Sequence, residues 1–125
     1  MGLKKTIEKV ISLTVVSGTA TNQATMFLPN GKITHVCANF RDYSGINTGF
    51  VRSSIKDANG EEVSQMQAVE NYATRQGGSF TSSKKPLPVD GGSNYTVTVQ
   101  ATANFTGDFL YEVTFIYEVE EDKIC

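Results

Sequence analysis

Tryptophan is absent from this 125-residue chain, histidine occurs once, cysteine twice and proline three times. No apolar run exceeds four residues. A helix crossing a bilayer needs about 20 apolar residues in succession, so no transmembrane span is expected. The opening Met1-Gly2-Leu3-Lys4-Lys5-Thr6 has a basic pair, but Glu8 and Lys9 interrupt Ile7 and Val10, so no secretory signal is expected either. Met1-Gly2 followed by Thr6 also fits a myristoylation pattern loose enough to be taken as chance. Asn94-Tyr95-Thr96 and Asn104-Phe105-Thr106 match the glycosylation acceptor pattern; with no secretory route they read as strand residues on a wetted face.

The scarcity of cysteine and histidine narrows the chemistry. Cys37 sits in an apolar strand-like run and Cys125 is the last residue, which points to two free thiols in a reducing compartment. His35 and Cys37 share one face of a strand at i, i+2, but zinc wants four ligands and no second cluster is visible. A Cys-His nucleophile also needs an orienting group and an oxyanion site, which two neighbours on one strand do not supply. A packed or hydrogen-bonded strand histidine is the expectation.

Charge is equally unspecific. A net charge of −2 with 19% charged residues describes an ordinary globular protein, and nucleic acid is not an expected partner. The acids fall around a turn (Asp57, Glu61, Glu62), before two glycines (Asp90) and near the end (Glu118, Glu120, Glu121, Asp122), with nothing to pair two of them across a cleft as glycosidases require. Asp57-Ala58-Asn59-Gly60-Glu61 has the start of a calcium loop, but position 66, where the bidentate Glu would stand, is Met. No catalytic residue, metal or cofactor is expected.

What is present is alternation. Tyr95, Val97, Val99, Ala101, Ala103 and Phe105 share one face; Thr106-Gly107-Asp108 breaks the run, and Phe109, Tyr111, Val113, Phe115 and Tyr117 restart it. This reads as a β-hairpin at period two. Pro29-Asn30-Gly31 between Ala24 to Leu28 and Lys32 to Phe40, and Asp57-Ala58-Asn59-Gly60 after Ile55, read as two more, because Asn-Gly tolerates the positive φ of tight primed turns. The first fifteen residues fit helical and strand spacing alike, with the β-branched density from Val10 to Val16 favouring a strand. Gly18 to Gln23 reads as a loop or an irregular edge, Arg41 to Gly49 as a surface loop, and Lys84 to Val89 as extended because of Pro86 and Pro88. Met66, Val69 and Ala73 have near-helical spacing, so one short helix is expected around 65–74.

The sum is one all-β domain over 1–125, a two-sheet antiparallel β-sandwich of six to eight strands, jelly-roll or immunoglobulin-like in topology. Leu110 and Ile116 fall on the second face of the last strand beside Glu112 and Thr114, which hints that this face is covered, by another subunit or by the chain itself. The expected contact residues are Arg41, Asp42 and Tyr43 with the Tyr72 to Arg75 stretch, each placing an aromatic beside an arginine outside the alternating runs.

The order of elements, from Val15-Val16-Ser17-Gly18-Thr19-Ala20 through Phe27-Leu28-Pro29-Asn30-Gly31-Lys32-Ile33 and Ile55-Lys56-Asp57-Ala58-Asn59-Gly60-Glu61-Glu62-Val63 to Phe115-Ile116-Tyr117-Glu118, resembles the small β-sandwich auxiliary, decoration or head-fibre-base proteins of tailed bacteriophages. The resemblance implies a non-catalytic virion role through contacts with capsid or other virion proteins, commonly as a homotrimer, in particles assembled in the host cytoplasm. The second reading is a non-catalytic carbohydrate-binding module. Such modules usually present Trp and Tyr, and here only Tyr43, Tyr72 or Phe80 could serve.

Overall fold

The structure is a computed structural model that describes the backbone of residues 3–73 and 85–121 and the side chains of 7–73 and 85–117. Eight strands form two four-stranded antiparallel sheets: β1 (Leu3–Val15), β8 (Phe109–Glu121), β3 (Lys32–Phe40) and β6 (Lys85–Asp90) in one, and β2 (Thr21–Leu28), β7 (Ser93–Ala101), β4 (Val51–Lys56) and β5 (Glu62–Ala68) in the other. The sandwich expected from the alternation is thus present. Of the first fifteen residues, Leu3–Val15 are strand, in unbroken register with β8 from Leu3 opposite Glu121 to Val15 opposite Phe109.

The inward residues are those the period-two pattern selects. Ile11, Leu13 and Val15 from β1, Val97 and Val99 from β7, and Phe109, Tyr111, Val113, Phe115 and Tyr117 from β8 are all buried in one core. Each such apolar side chain is worth about 1.5–3 kcal/mol over its exposed state. In β3 the period breaks: Ile33 and Val36 are both buried because a bulge at Thr34 shifts the register against β8 and β6. His35 and Cys37 therefore share the outer face, His35 Nδ1 lies 2.9 Å from Thr34 Oγ1, and Cys37 is a buried free thiol. Cys125 lies outside the described residues.

Two of the three expected hairpins are corrected. Among the described residues only β4 and β5, joined through Asp57 to Glu61, form a hairpin; β7 and β8 lie in different sheets, and so do β2 and β3. Thr102 to Asp108 and Pro29 to Gly31 are arches from one sheet to the other. An alternating run buries one face whether its neighbour pairs beside it or covers it from the opposite sheet, so the pattern is the same in both cases. In the Gly18 to Gln23 segment a turn leads at Thr21 into β2, which is an edge strand. The helix around 65–74 is a single 3-10 turn at Val69–Tyr72: Gln65 to Ala68 continue β5, and position 74 lies outside the described residues. Val69 and Tyr72 plug the gap between the sheets, and Ala73 bridges Ala38 of β3.

The strand directions give the sandwich two unlike ends. The arches at 29–31 and 91–92 and the hairpin turn at 57–61 share one end; 16–20, 41–50, 69–73 and 102–108 gather at the other.

Candidate functional site

The second end, the loop end, stands on an aromatic floor. Phe105 and Phe109 stack with centroids 5.0 Å apart, Tyr43 meets Phe109 edge-on at 5.5 Å, and Phe40 lies 5.8 Å from Tyr111 and 6.0 Å from Phe109. Such pairs add about 0.5–1.5 kcal/mol each beyond the area they bury.

The loops above this floor are fixed by hydrogen bonds. The amides of Ile46 and Asn47 both donate to the Tyr43 carbonyl at 2.9 Å, closing the 41–50 loop on itself. Asn47, buried, donates through Nδ2 to the Ala103 carbonyl at 2.9 Å and accepts through Oδ1 from the Gly49 amide at 2.7 Å. Phe50 and Thr102 bond twice, amide to hydroxyl at 2.9 Å and amide to carbonyl at 2.9 Å. The 16–20 turn joins through the Gly18 amide to the Phe105 carbonyl at 2.7 Å and the Ser17 amide to Asp108 Oδ1 at 2.9 Å. Three loops with no regular structure thus make one tied surface.

That surface is unusually apolar. Of the five large hydrophobic residues the described structure leaves exposed, Val16 (52% exposed), Phe50 (77%) and Leu110 (64%) lie at this end. Leu110 borders a cleft of about 390 Å³ whose lining also includes Phe40, Arg41, Asp42, Ile46 and Asp108. A smaller cleft of about 180 Å³, lined by Tyr43, Phe50, Arg52 and Glu70 among others, lies beside it. Tyr43 donates its hydroxyl to Glu70 Oε2 in a short hydrogen bond. Burial first, and then that bond and the Glu70 charge, push its pKa up to about 12. Asp42 is held below the ordinary carboxylate range by the Ser44 amide, 3.0 Å from Oδ1.

The structure therefore brings Arg41, Asp42 and Leu110 to one cleft and sets Tyr43 beside it. Tyr72 and Ile116 are corrections: they are 1% and 2% exposed, already covered by the chain, and offer no contact surface. The Tyr72 hydroxyl is turned inward to Ser64 Oγ. Its aromatic-plus-arginine context misled because a single plugging side chain carries no periodicity. Arg75, like Phe80, lies outside the described residues. Of the residues that could serve a sugar, Tyr43 is half-buried and Tyr72 buried.

Sequence reasoning missed Asn47, Phe50, Asp108 and Glu70. The spacing of Asn47 two residues before Gly49 was a usable signal for a side-chain turn. Phe50 adjoins the strand that begins at Val51, and only the loop's closure shows which of the two points outward. No group of three metal-ligating side chains occurs among the described residues. No helix among them is long and apolar enough to cross a membrane.

No family model matches the chain, and no curated protein matches its sequence. Among solved structures, it is similar to a chain in the capsid asymmetric unit of cyanophage Pam1, with 21% identity, 94% of this chain and 86% of that one covered, and a TM-score of 0.49. It is also similar to a chain in the acid-stable capsid structure of Helicobacter pylori bacteriophage KHP30, at 10% identity with 97% and 100% covered and a TM-score of 0.43.

Proposed function

We propose that this chain is a non-enzymatic structural protein of a bacteriophage virion, docking through its loop end onto other virion proteins in a capsid auxiliary, decoration or fibre-attachment role. The observation that carries the docking reading is the meeting of Leu110 with Arg41 and Asp42 in one cleft at the loop end, where Val16 and Phe50 are also exposed. Exposed apolar groups rimmed by charge, held in place before binding, are what a protein interface needs, since little rotamer freedom is left to lose. The virion setting is the one implied by the resemblance of the strand-and-turn order to phage auxiliary proteins. We read the order β1-β8-β3-β6 over β2-β7-β4-β5 as jelly-roll wiring, an architecture used in viral capsids and in lectins alike. It is thus neutral toward the sugar-binding alternative.

A homotrimer is the form the resemblance implies, and it suits the chemistry: several modest contacts made at once to a repetitive lattice multiply into firm attachment. The test is to purify virions of the source genome and analyse them by mass spectrometry. The chain should copurify in fixed ratio to the major capsid protein, and its absence from intact particles would remove the virion reading and favour the carbohydrate-binding one. Sedimentation at high micromolar concentration tests the oligomer separately, a strictly monomeric particle counting against the trimer.

A further inference from the structure

We propose that the loop-end cleft takes a basic, extended segment of a partner protein, one that lays an aliphatic side chain on Leu110 and brings lysine or arginine to the rim. This rests on the docking reading above and specifies the chemistry of what docks. The cleft of about 390 Å³ has room for two or three side chains, and its floor of Phe40, Ile46, Phe109 and Leu110 is apolar. Its rim is not neutral: Asp42, Asp108 and Glu112 face one cation, Arg41, so one positive and three negative charges leave −2. In the rest of the chain ten cations and ten anions balance.

The acids are set in place rather than loose. Asp42 Oδ1 accepts from the Ser44 amide at 3.0 Å, Asp108 Oδ1 from the Ser17 amide at 2.9 Å, and Glu112 Oε2 from Ser12 Oγ at 3.2 Å. Asp42 also takes a bond from the Ser44 hydroxyl, while Asp108 and Glu112 each accept one such bond among the described residues. Three carboxylates held this way by three separate elements do not converge as cation ligands do, and the described residues hold no metal-binding group. A cationic segment fits better: its alkyl stems cover the apolar floor while its charged tips reach the rim. Arg41 can donate to the backbone carbonyls of the same segment. The anionic rim repels acidic segments and nucleic acid.

The test is a pair of capped pentapeptides titrated into the isotope-labelled full chain and followed by amide NMR shifts. One has arginine and lysine flanking a central leucine; in the other both cations are replaced by glutamate. The cationic peptide should shift the amides of residues 41–46 and 108–112 saturably, and the glutamate peptide should not. The double variant Asp42→Asn with Glu112→Gln, whose spectrum reports its folding directly, should bind the cationic peptide about tenfold more weakly, as should the native chain at high salt. Equal binding of both peptides, shifts centred on another face, no binding of the cationic peptide, or an unaffected double variant would each overturn the proposal. A chain that copurifies with virions yet fails this test loses only the charge assignment and not the docking role.

Discussion

Asn47 carries more of the loop end than any other polar side chain, because its amide joins two loops and closes its own turn. Replacing it with Ala leaves the half-buried Ala103 carbonyl and Gly49 amide without their partners, and each such loss costs about 1–3 kcal/mol. Asn47→Ala should therefore lower stability by about 2–4 kcal/mol in urea unfolding, with the β-sheet circular dichroism of the residual native state unchanged. An unaltered midpoint would mean that water replaces both bonds and that the loops are not held by this residue. Phe109 is the apolar counterpart. Its ring touches Phe105, Tyr43, Phe40 and Tyr111, with centroids 5.0 to 6.0 Å away. Phe109→Ala should cost about 3–5 kcal/mol and collapse the near-ultraviolet dichroism that packed rings produce. If the loss is under half that, the cluster repacks and the cleft floor is softer than its geometry implies.

Among the elements, the arches decide how the strands are wired, and they mark the limit of what the sequence discloses. The strands themselves are legible: Tyr95 to Ala101 and Phe109 to Tyr117 alternate because each has one face inward. Which sheet each strand joins is not, because Thr106-Gly107-Asp108 and Pro29-Asn30-Gly31 are turn formers whether they reverse a strand beside itself or carry it across the core. Arg41, Asp42 and Leu110 are legible as candidates because charge and apolarity outside the pattern are local signals. Asn47 and Glu70 act through partners 56 and 27 residues away, and a single sequence holds no trace of that pairing. The arches at the far end are built against each other: the Gly91 amide donates to the Gly31 carbonyl at 2.8 Å and the Gly92 amide to the Leu28 carbonyl at 2.7 Å. A Cβ at Gly91 would run into the Pro29 carbonyl oxygen, a backbone atom that cannot swing aside. At Gly18 a Cβ would meet open space, and only the φ of +89° opposes it. Gly91→Ala should therefore cost about 3 kcal/mol and Gly18→Ala about 1 kcal/mol, as measured by thermal unfolding. The reverse order would show that the arches are free to part.

For the whole molecule the distribution of tyrosine sets the response to base. The chain has five tyrosines, and all five have pKa values pushed above the ordinary 10, with burial the largest cause in every case. Tyr111 is displaced furthest upward. Ser53 Oγ lies near enough to pull it back in part, although the two do not meet hydrogen-bond geometry. The sign follows from which form the folded state tolerates. Below pH 10 both the folded and the unfolded chain keep the phenols protonated, so this source of stability is fully present. Above pH 10 the unfolded chain releases protons that the folded one retains, and stability falls with each further step as the pH rises through the value of about 12 for Tyr43. Five phenols acting in one direction make the loss steep, because the proton difference between the two states grows toward five. Absorbance at 295 nm should show the denatured chain titrating near pH 10. The native protein should stay largely protonated until it unfolds between about pH 10 and 12, with tyrosinate absorbance and loss of β-sheet dichroism rising together. A native titration that is already half complete at pH 10 with the dichroism intact would place these rings in water and contradict the packing of the core around them.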